Sequence, residues 1–478
     1  MAPGCEQSKK VKAENNIIPC STTDPWVAVA HTPAHYSLLK GADSILAALR
    51  ECARQLGWCD DESGTFGRAI PKGSRVVVKP NWVLHANQGG GGLAPLITHQ
   101  SFIQSVVSEA LKAGPESVIV GDAPIQMCDW DQLMRLTGIE RWAEELQRIN
   151  RSFEGIRDFR RTTCKYMHGV RIASESIVDL SHYVLFNLGS DSLLEPITKP
   201  GLFRVTSYDP RLMAKTHSPG NHQYLIAKDV LEADVVINLP KLKTHKKAGI
   251  SCALKNLVGI NGNKEYLPHH RVGGAEDGGD CYPGRDRLKR GLEVVLDAKN
   301  RASSKTKAKL LAGVESQLSR ALRFRGDRIG VEGSWSGNET VARMTLDLNR
   351  ILLYGRADGS MADTIQRRVL NVVDGIVAGQ GNGPLANDEL PLGLVLAGHN
   401  AAAVDFIGAS FLNFDPFKIP LLQLAFEDFR WRVANFATDE IEIKAGALSS
   451  KNPDDFINTI CATKVAHPSG WENAARIL

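Results

Sequence analysis

Residues 71–124 read PKGSRVVVKPNWVLHANQGGGGLAPLITHQSFIQSVVSEALKAGPESVIVGDAP, and this stretch decides the fold. A turn at Pro71–Ser74 leads into the β-branched run Arg75–Val78, closed by Lys79-Pro80-Asn81. Apolar residues without alternation predict a strand covered on both faces. A glycine-rich loop follows, then helical apolar spacing with Thr98 as the expected N-cap and an end near Gly114. Ser117–Pro124 is the next strand, ending in Asp122. Strand, helix and strand in that order form a βαβ unit, which requires a parallel sheet with a right-handed crossover.

On either side the pattern continues in kind. Trp26–His31 reads as a strand and Asp43–Leu56 as a helix capped by Asp43, while residues 1–23 are polar and basic and are expected to be disordered. Downstream, residues 129–146 read as helical, 176–188 as short strands, and a helix is expected from about Ala227. Asp234–Asn238 is a buried strand, and residues 281–330 form a Lys/Arg-rich amphipathic insertion. A helix starts near Asn338 or Thr340; residues 368–374 are a strand ending at Asp374; residues 392–412 give a strand and then a helix carrying Asp405. The expected architecture is α/β: a mostly parallel sheet in Rossmann-like layers with an inserted helical segment, residues 24–478 making one elaborated domain.

Composition narrows the functional classes. Of 478 residues, 43% are hydrophobic and 23% charged, with a formal net charge of only +4. Such a balance does not describe a general nucleic-acid binder. Nine scattered cysteines without a C-x-x-C pair argue against an intrachain zinc or Fe–S site and for reduced thiols. The first residues, MAPGCEQSKKVKAENN, lack the apolar core of a secretory signal, and no run of about 18 apolar residues predicts a spanning helix. A cytoplasmic location without membrane insertion is the expectation.

Charge is concentrated locally. Asp234–Arg271, DVVINLPKLKTHKKAGISCALKNLVGINGNKEYLPHHR, sets Lys241, Lys243, His245, Lys246, Lys247, Lys255, Lys264, His269, His270 and Arg271 after a strand end, where α/β sheets bind ligands. The plain reading is a solvated basic loop; the functional one is an anion site, with Lys79, Asn81, Lys241, Lys243, Asn256, His270 and Arg271 binding substrate. Asp122 and Asp374, both at expected strand ends, are candidate bases or turn caps. His245 and Lys255 complete the candidate catalytic set. If AGISCALKN is helical, Ser251 and Lys255 share a face and a Ser/Lys nucleophile pair arises, with Cys252 as a second candidate nucleophile. His245, Asp122, Asp374 and Asp405 are the residues that would have to converge around a divalent metal, although no local metal motif is present. Asp405 also suits a buried partner for a lysine. GGGG at 89–92 fits either a phosphate approach or a mobile lid, and Trp335 with Asn338 either a sugar or base contact or a surface loop. GQGNGP at 379–384 runs into Pro384 and is no dinucleotide fingerprint, and no Walker A motif occurs.

The motifs Lys79-Pro80-Asn81, Gly121-Asp122, PKLKTH with Lys255-Asn256, and Asp374-Gly375 with its glycine turn resemble those of domain-of-unknown-function family 362 from about Arg75 to Pro416. Some members of that family carry an attached ferredoxin-like cysteine cluster, absent from this sequence. Strand-end Lys and His residues give a more distant likeness to the catalytic domain of nickel-pincer lactate racemases. Three functions are compatible with these residues. The leading one is an enzyme acting on a phosphorylated, nucleotide-linked or carboxylated small molecule by group or proton transfer, with or without a divalent metal. The others are a redox partner using an Fe–S cluster from another subunit, and a non-catalytic anion-binding or scaffold protein contacting a protein partner or a second copy through residues 281–330.

Overall fold

The computed structural model describes residues 21–36, 43–60, 64–167, 170–176, 178–446, 449–450 and 464–476. Most of the expected N-terminal tail, residues 1–20, lies outside them. Ser21 and Thr22, at its end, are buried in a turn. Ten strands make one sheet: β1 (Trp26–His31), β2 (Arg75–Pro80), β3 (Ser117–Asp122), β4 (Phe153–Asp158), β5 (Val235–Leu239), β6 (Lys241–His245), β7 (Gly249–Ser251), β8 (Arg368–Asn382), β9 (Ala386–Gly398) and β10 (Glu442–Lys444).

The order is β10-β1-β9-β8-β5-β2-β3-β4, with β6 pairing both β7 and β8. From β8 through β5, β2 and β3 to β4 every pair is parallel. The expected α/β class with a mostly parallel sheet is borne out, and its physical basis is burial on both faces. Even-numbered Val76, Val78, Val118 and Val120 pack against Ala48 and Leu49 of α1 (Asp43–Gln55) and Phe102 and Val106 of α2 (Gln100–Lys112). Odd-numbered Val77 and Val369, with Val236 of β5, meet Val341, Met344 and Leu348 of α6 (Glu339–Tyr354), a helix capped by Asn338.

Three local expectations are corrected. Thr98 is not the cap of α2: its hydroxyl donates to the Leu239 carbonyl at 2.6 Å and accepts from Asn81 N–H at 2.8 Å, and His99 Nδ1 accepts the Ser101 amide instead. Asp374 does not end its strand, because β8 runs on to Asn382 and returns as β9. AGISCALKN is not one helix: Ser251 closes β7, and only Ala253–Asn256, α3, is helical.

Two further helices, α4 (Arg287–Asn300) and α5 (Lys305–Phe324), pair through Leu292, Leu296, Leu318 and Leu322. The outer side of α5 leaves Leu310 and Phe324 exposed, at 70% and 94%. Helix α7 (Ala401–Phe411) is buried along its length and carries Asp405. That carboxylate accepts the Ala253 and Leu254 amides at 2.5 and 3.1 Å, so it caps α3, and among the described residues it pairs with no lysine. Burial lifts Asp405 to about 7 against those hydrogen bonds. Among the described residues no helix is long and apolar enough to cross a membrane.

Candidate functional site

The carboxyl ends of β2, β3 and β5, with Asn371 of the neighbouring β8, carry a polar lattice before they carry a pocket. Asn238 donates to Asn371 Oδ1 at 2.8 Å and to the Ala253 carbonyl at 2.9 Å; Asn256 donates to Asn238 Oδ1 at 2.7 Å and accepts from Asn81 at 2.9 Å. All but the half-buried Asn81 are fully buried, and a satisfied network of this kind holds its members rigidly. Lys79 enters it from β2, placing Nζ 2.7 Å from Asp122 Oδ1, 2.8 Å from the Pro80 carbonyl and 3.1 Å from Asn256 Oδ1. The other Asp122 oxygen accepts the Trp82 amide at 2.6 Å. Burial pushes the carboxyl up and the ammonium down, and the contact between them opposes both shifts. Gly259 roofs the pair: a Cβ there would overlap Asp122 Oδ1 and lie 2.7 Å from Lys79 Nζ.

In front of this lattice lies a cavity of about 370 Å³, within the range of small-ligand sites. Its wall takes Lys243 and His245 from β6, Lys246 and Lys247 from the following turn, Ser251 from β7, Lys255 and Asn256 from α3, and Lys264 and His269 from the loop beyond. Apolar side chains, among them Val83, Ile125, Val258 and Leu385, close the remainder. The carboxylates on the wall are Asp122, already committed to Lys79, and Glu332, 3.9 Å from Lys247. A larger depression, about 670 Å³ beside Phe406 and Phe417, has only acids as charged lining and none of this chemistry.

So many cations with so few counter-charges depress one another. Burial, then Lys264, Lys247 and Lys79, brings Lys255 down to about 7. Burial is also the main cause for Lys264, which falls to about 8 although Asp122 opposes the shift. Lys243 is held well below the ordinary lysine range by burial and then by Lys241 and Lys255; its Nζ bonds Asn81 Oδ1 at 3.0 Å and the Leu96 carbonyl. His245 and His269 are kept neutral by burial and by the lysines around them. Their hydrogen bonds assign opposite tautomers. His245 Nδ1 accepts the Lys247 and Ala248 amides at 3.1 and 3.3 Å, leaving the proton on Nε2. His269 Nδ1 donates to the Leu267 carbonyl at 2.7 Å, leaving a lone pair on Nε2.

The structure thus brings Asn81, Asp122, Lys243, His245, Lys255 and Asn256 onto one wall, and separates the other candidates from it. Lys79 stands behind the wall with its hydrogen bonds filled. Lys241 and Asp374 form a different, fully buried cluster: Nζ lies 2.7 Å from Asp374 Oδ2 and 2.9 Å from the Tyr36 hydroxyl, which itself donates to Asp374. Tyr36 stacks on His99, 3.6 Å between ring centroids. Lys241 sits opposite Asp374 but Lys243 opposite Gly379, the register shifting between them on β8, so the two lysines meet different partners. His270 lines a separate cavity of about 70 Å³, and Arg271 pairs with Asp280 at 3.4 Å. Neither reaches the pocket.

Cys252 is no candidate nucleophile: it is fully buried, and burial and Asp405 hold its thiol far above the usual range. Among the described residues no three His, Cys, Asp or Glu side chains converge to hold a metal, so Asp122, His245, Asp374 and Asp405 do not form a metal site and the donors for a cluster are not assembled. GGGG at 89–92 is exposed outside the pocket; Trp335 donates its ring N–H to the Asp280 carbonyl, and Asn338 caps α6. Sequence reasoning passed over Lys247, Lys264 and His269 as site residues, and also Thr206, whose hydroxyl is 3.0 Å from Lys247 Nζ. The basic composition of 234–271 marked the first three; nothing marked the loop bearing Thr206.

Comparisons with known proteins place the chain in a family without naming an activity for it. It is 25% identical over 207 residues to the thylakoid-associated protein sll1697 of Synechocystis, a match covering 43% of this chain and 41% of that relative. The lactate racemase apoprotein of Thermoanaerobacterium thermosaccharolyticum aligns over 83% of this chain and 58% of its own, at 12% identity and a TM-score of 0.32. A structural-genomics protein of Thermotoga maritima aligns over 80% of this chain and 58% of its own, at 9% identity and a TM-score of 0.29. The chain therefore spans less than two thirds of each of these proteins. With matches over residues 76–184 and 197–410, it belongs to the family described as Domain of unknown function (DUF362).

Proposed function

We propose that this protein is an enzyme that binds an anionic small molecule, phosphorylated, nucleotide-linked or carboxylated, in the Lys243–Lys255–Lys264 pocket and transfers a proton or a group on it. The observation that carries this reading is the charge imbalance of the wall: Lys243, Lys246, Lys247, Lys255 and Lys264 face a cavity whose carboxylates are Asp122, paired with Lys79, and Glu332, 3.9 Å from Lys247. Buried ammonium groups without counter-ions cost several kcal/mol each in desolvation and repulsion. A guest with two or more negative charges removes that cost, and in a water-poor pocket those contacts also stabilise negative charge developing during reaction. His245, with Nε2–H, and His269, with a free Nε2, supply one proton donor and one acceptor for general acid–base work.

Protonation sets the expected pH dependence. Lys255 and Lys264 lose their charge near 7 and 8, and an anion binds their charged forms, so binding takes up protons. Sulfate, whose charge is fixed over this range, should bind roughly tenfold to a hundredfold more tightly at pH 6 than at pH 9. Calorimetric titration at constant ionic strength checks this. An affinity flat with pH, or one that rises with it, contradicts the reading.

A further inference from the structure

Six lysines are buried among the described residues, and five have partners. Lys79 meets Asp122, Lys241 meets Asp374, and Lys243 bonds Asn81 and the Leu96 carbonyl. Lys247 bonds Thr206, and Lys289 lies 2.6 Å from Asp327. Lys255 is the exception. Its amine lines the cavity, and among the described residues it has no hydrogen-bond acceptor and no carboxylate within ion-pair distance; its electrostatic neighbours are Lys264, Lys247 and Lys79.

A lysine kept only as a fixed charge is served by an acid beside it, as Lys79 and Lys241 are. Three cations around an unpartnered amine do the reverse and favour the free base, which is the arrangement that activates lysine as a nucleophile. We propose that Lys255 forms an imine with a carbonyl group of the anionic guest, which narrows the substrate class to anionic aldehydes and ketones such as oxo acids and carbonyl phosphates. This rests on the anion-site reading and adds a covalent step to it.

In that step the Nζ lone pair bonds to the carbonyl carbon, and the C=O π pair moves to oxygen, which takes up a proton. The added nitrogen gives one of its protons back to solvent; the carbinolamine hydroxyl then takes up a second proton from solvent and leaves as water while the nitrogen lone pair closes the C=N bond, so that the cationic imine forms with net uptake of one proton. One water leaves, and nothing is oxidised or reduced. The cationic imine is an electron sink for loss of a proton from the adjacent carbon. The free base that this attack needs is well populated at neutral pH, since Lys255 titrates near 7.

Glyoxylate, a small anionic aldehyde, is the probe. The full chain is treated at pH 7 with glyoxylate and cyanoborohydride, and the reduced adducts are mapped by peptide mass spectrometry, with and without sulfate. Lys255 should be labelled about tenfold or more faster than the exposed Lys307 and Lys309, because the unpartnered amine in the cavity is the one poised as a free-base nucleophile. Sulfate should suppress that labelling, and Lys255→Arg should lose it. Labelling of Lys255 no faster than that of the surface lysines overturns the proposal. Sulfate titration of the unmodified protein separates the two readings: sulfate binding without preferential labelling refutes the imine alone, whereas no sulfate binding refutes the anion site itself.

Discussion

Replacing Lys255 and Lys264 together by Ala should weaken sulfate or diphosphate binding by about a hundredfold or more, with the fold intact. At about 4 Å and an effective dielectric near 20, one charge pair is worth roughly 4 kcal/mol, so the loss of two partly protonated ones exceeds the ~2.7 kcal/mol that a hundredfold represents. The fold should survive because neither ammonium has a carboxylate within ion-pair distance among the described residues. Removing them should even raise the melting temperature of the ligand-free protein near pH 7. The sign follows from linkage. Both groups sit lower in the folded chain than in the unfolded one, so the unfolded state binds more protons between about 7 and 10, and the unliganded protein pays most at the low end of that window. Calorimetric titration with parallel thermal melts checks both statements; unchanged affinity contradicts them.

Asp374→Ala should do the opposite. It leaves the Lys241 ammonium buried with no carboxylate, and breaking such a pair costs about 3–5 kcal/mol. The His99 amide, 3.0 Å from Asp374 Oδ2, and the Tyr36 hydroxyl lose their acceptor as well. Sulfate affinity should stay within about twofold, because this cluster is not part of the pocket wall. If the alanine variant does not fold, Asp374→Asn keeps the side-chain volume and one of the two acceptor oxygens and removes the charge. A large loss of sulfate affinity with unchanged stability would place Asp374 back among the functional residues.

The two clusters show what could be read from the chain and what could not. The βαβ unit was legible because Val76–Val78 and Val118–Val120 are apolar without alternation, the signature of strands covered on both faces. The basic run after Pro240 marked Lys241, Lys243 and His245 together as an anion site, and two of the three line the pocket. Lys241 does not, because it is tied to Asp374, which the irregular β8 sets opposite it, and a bulge leaves no trace in residue spacing. The same strand misled at Asp374-Gly375. Glycines there and at 379 look like turn signals, yet β8 runs through them; a Cβ at Gly379 would come within 2.7 Å of Lys243 Cβ and crowd the Pro95 carbonyl, so closeness of approach explains that glycine. Lys264 and His269 arrive from irregular loop, where periodicity says nothing about direction. Their electrostatic role depends on tertiary burial, which no local pattern carries.

The most direct measurement is a crystal soaked in tungstate, a tetrahedral dianion whose anomalous signal locates it without ambiguity. The account predicts one dominant site inside the cavity, within hydrogen-bond reach of Lys255 and Lys264 and lost in the double alanine variant. Tungstate found only on surface lysines such as Lys307 and Lys309, with the cavity empty of it, would contradict the account.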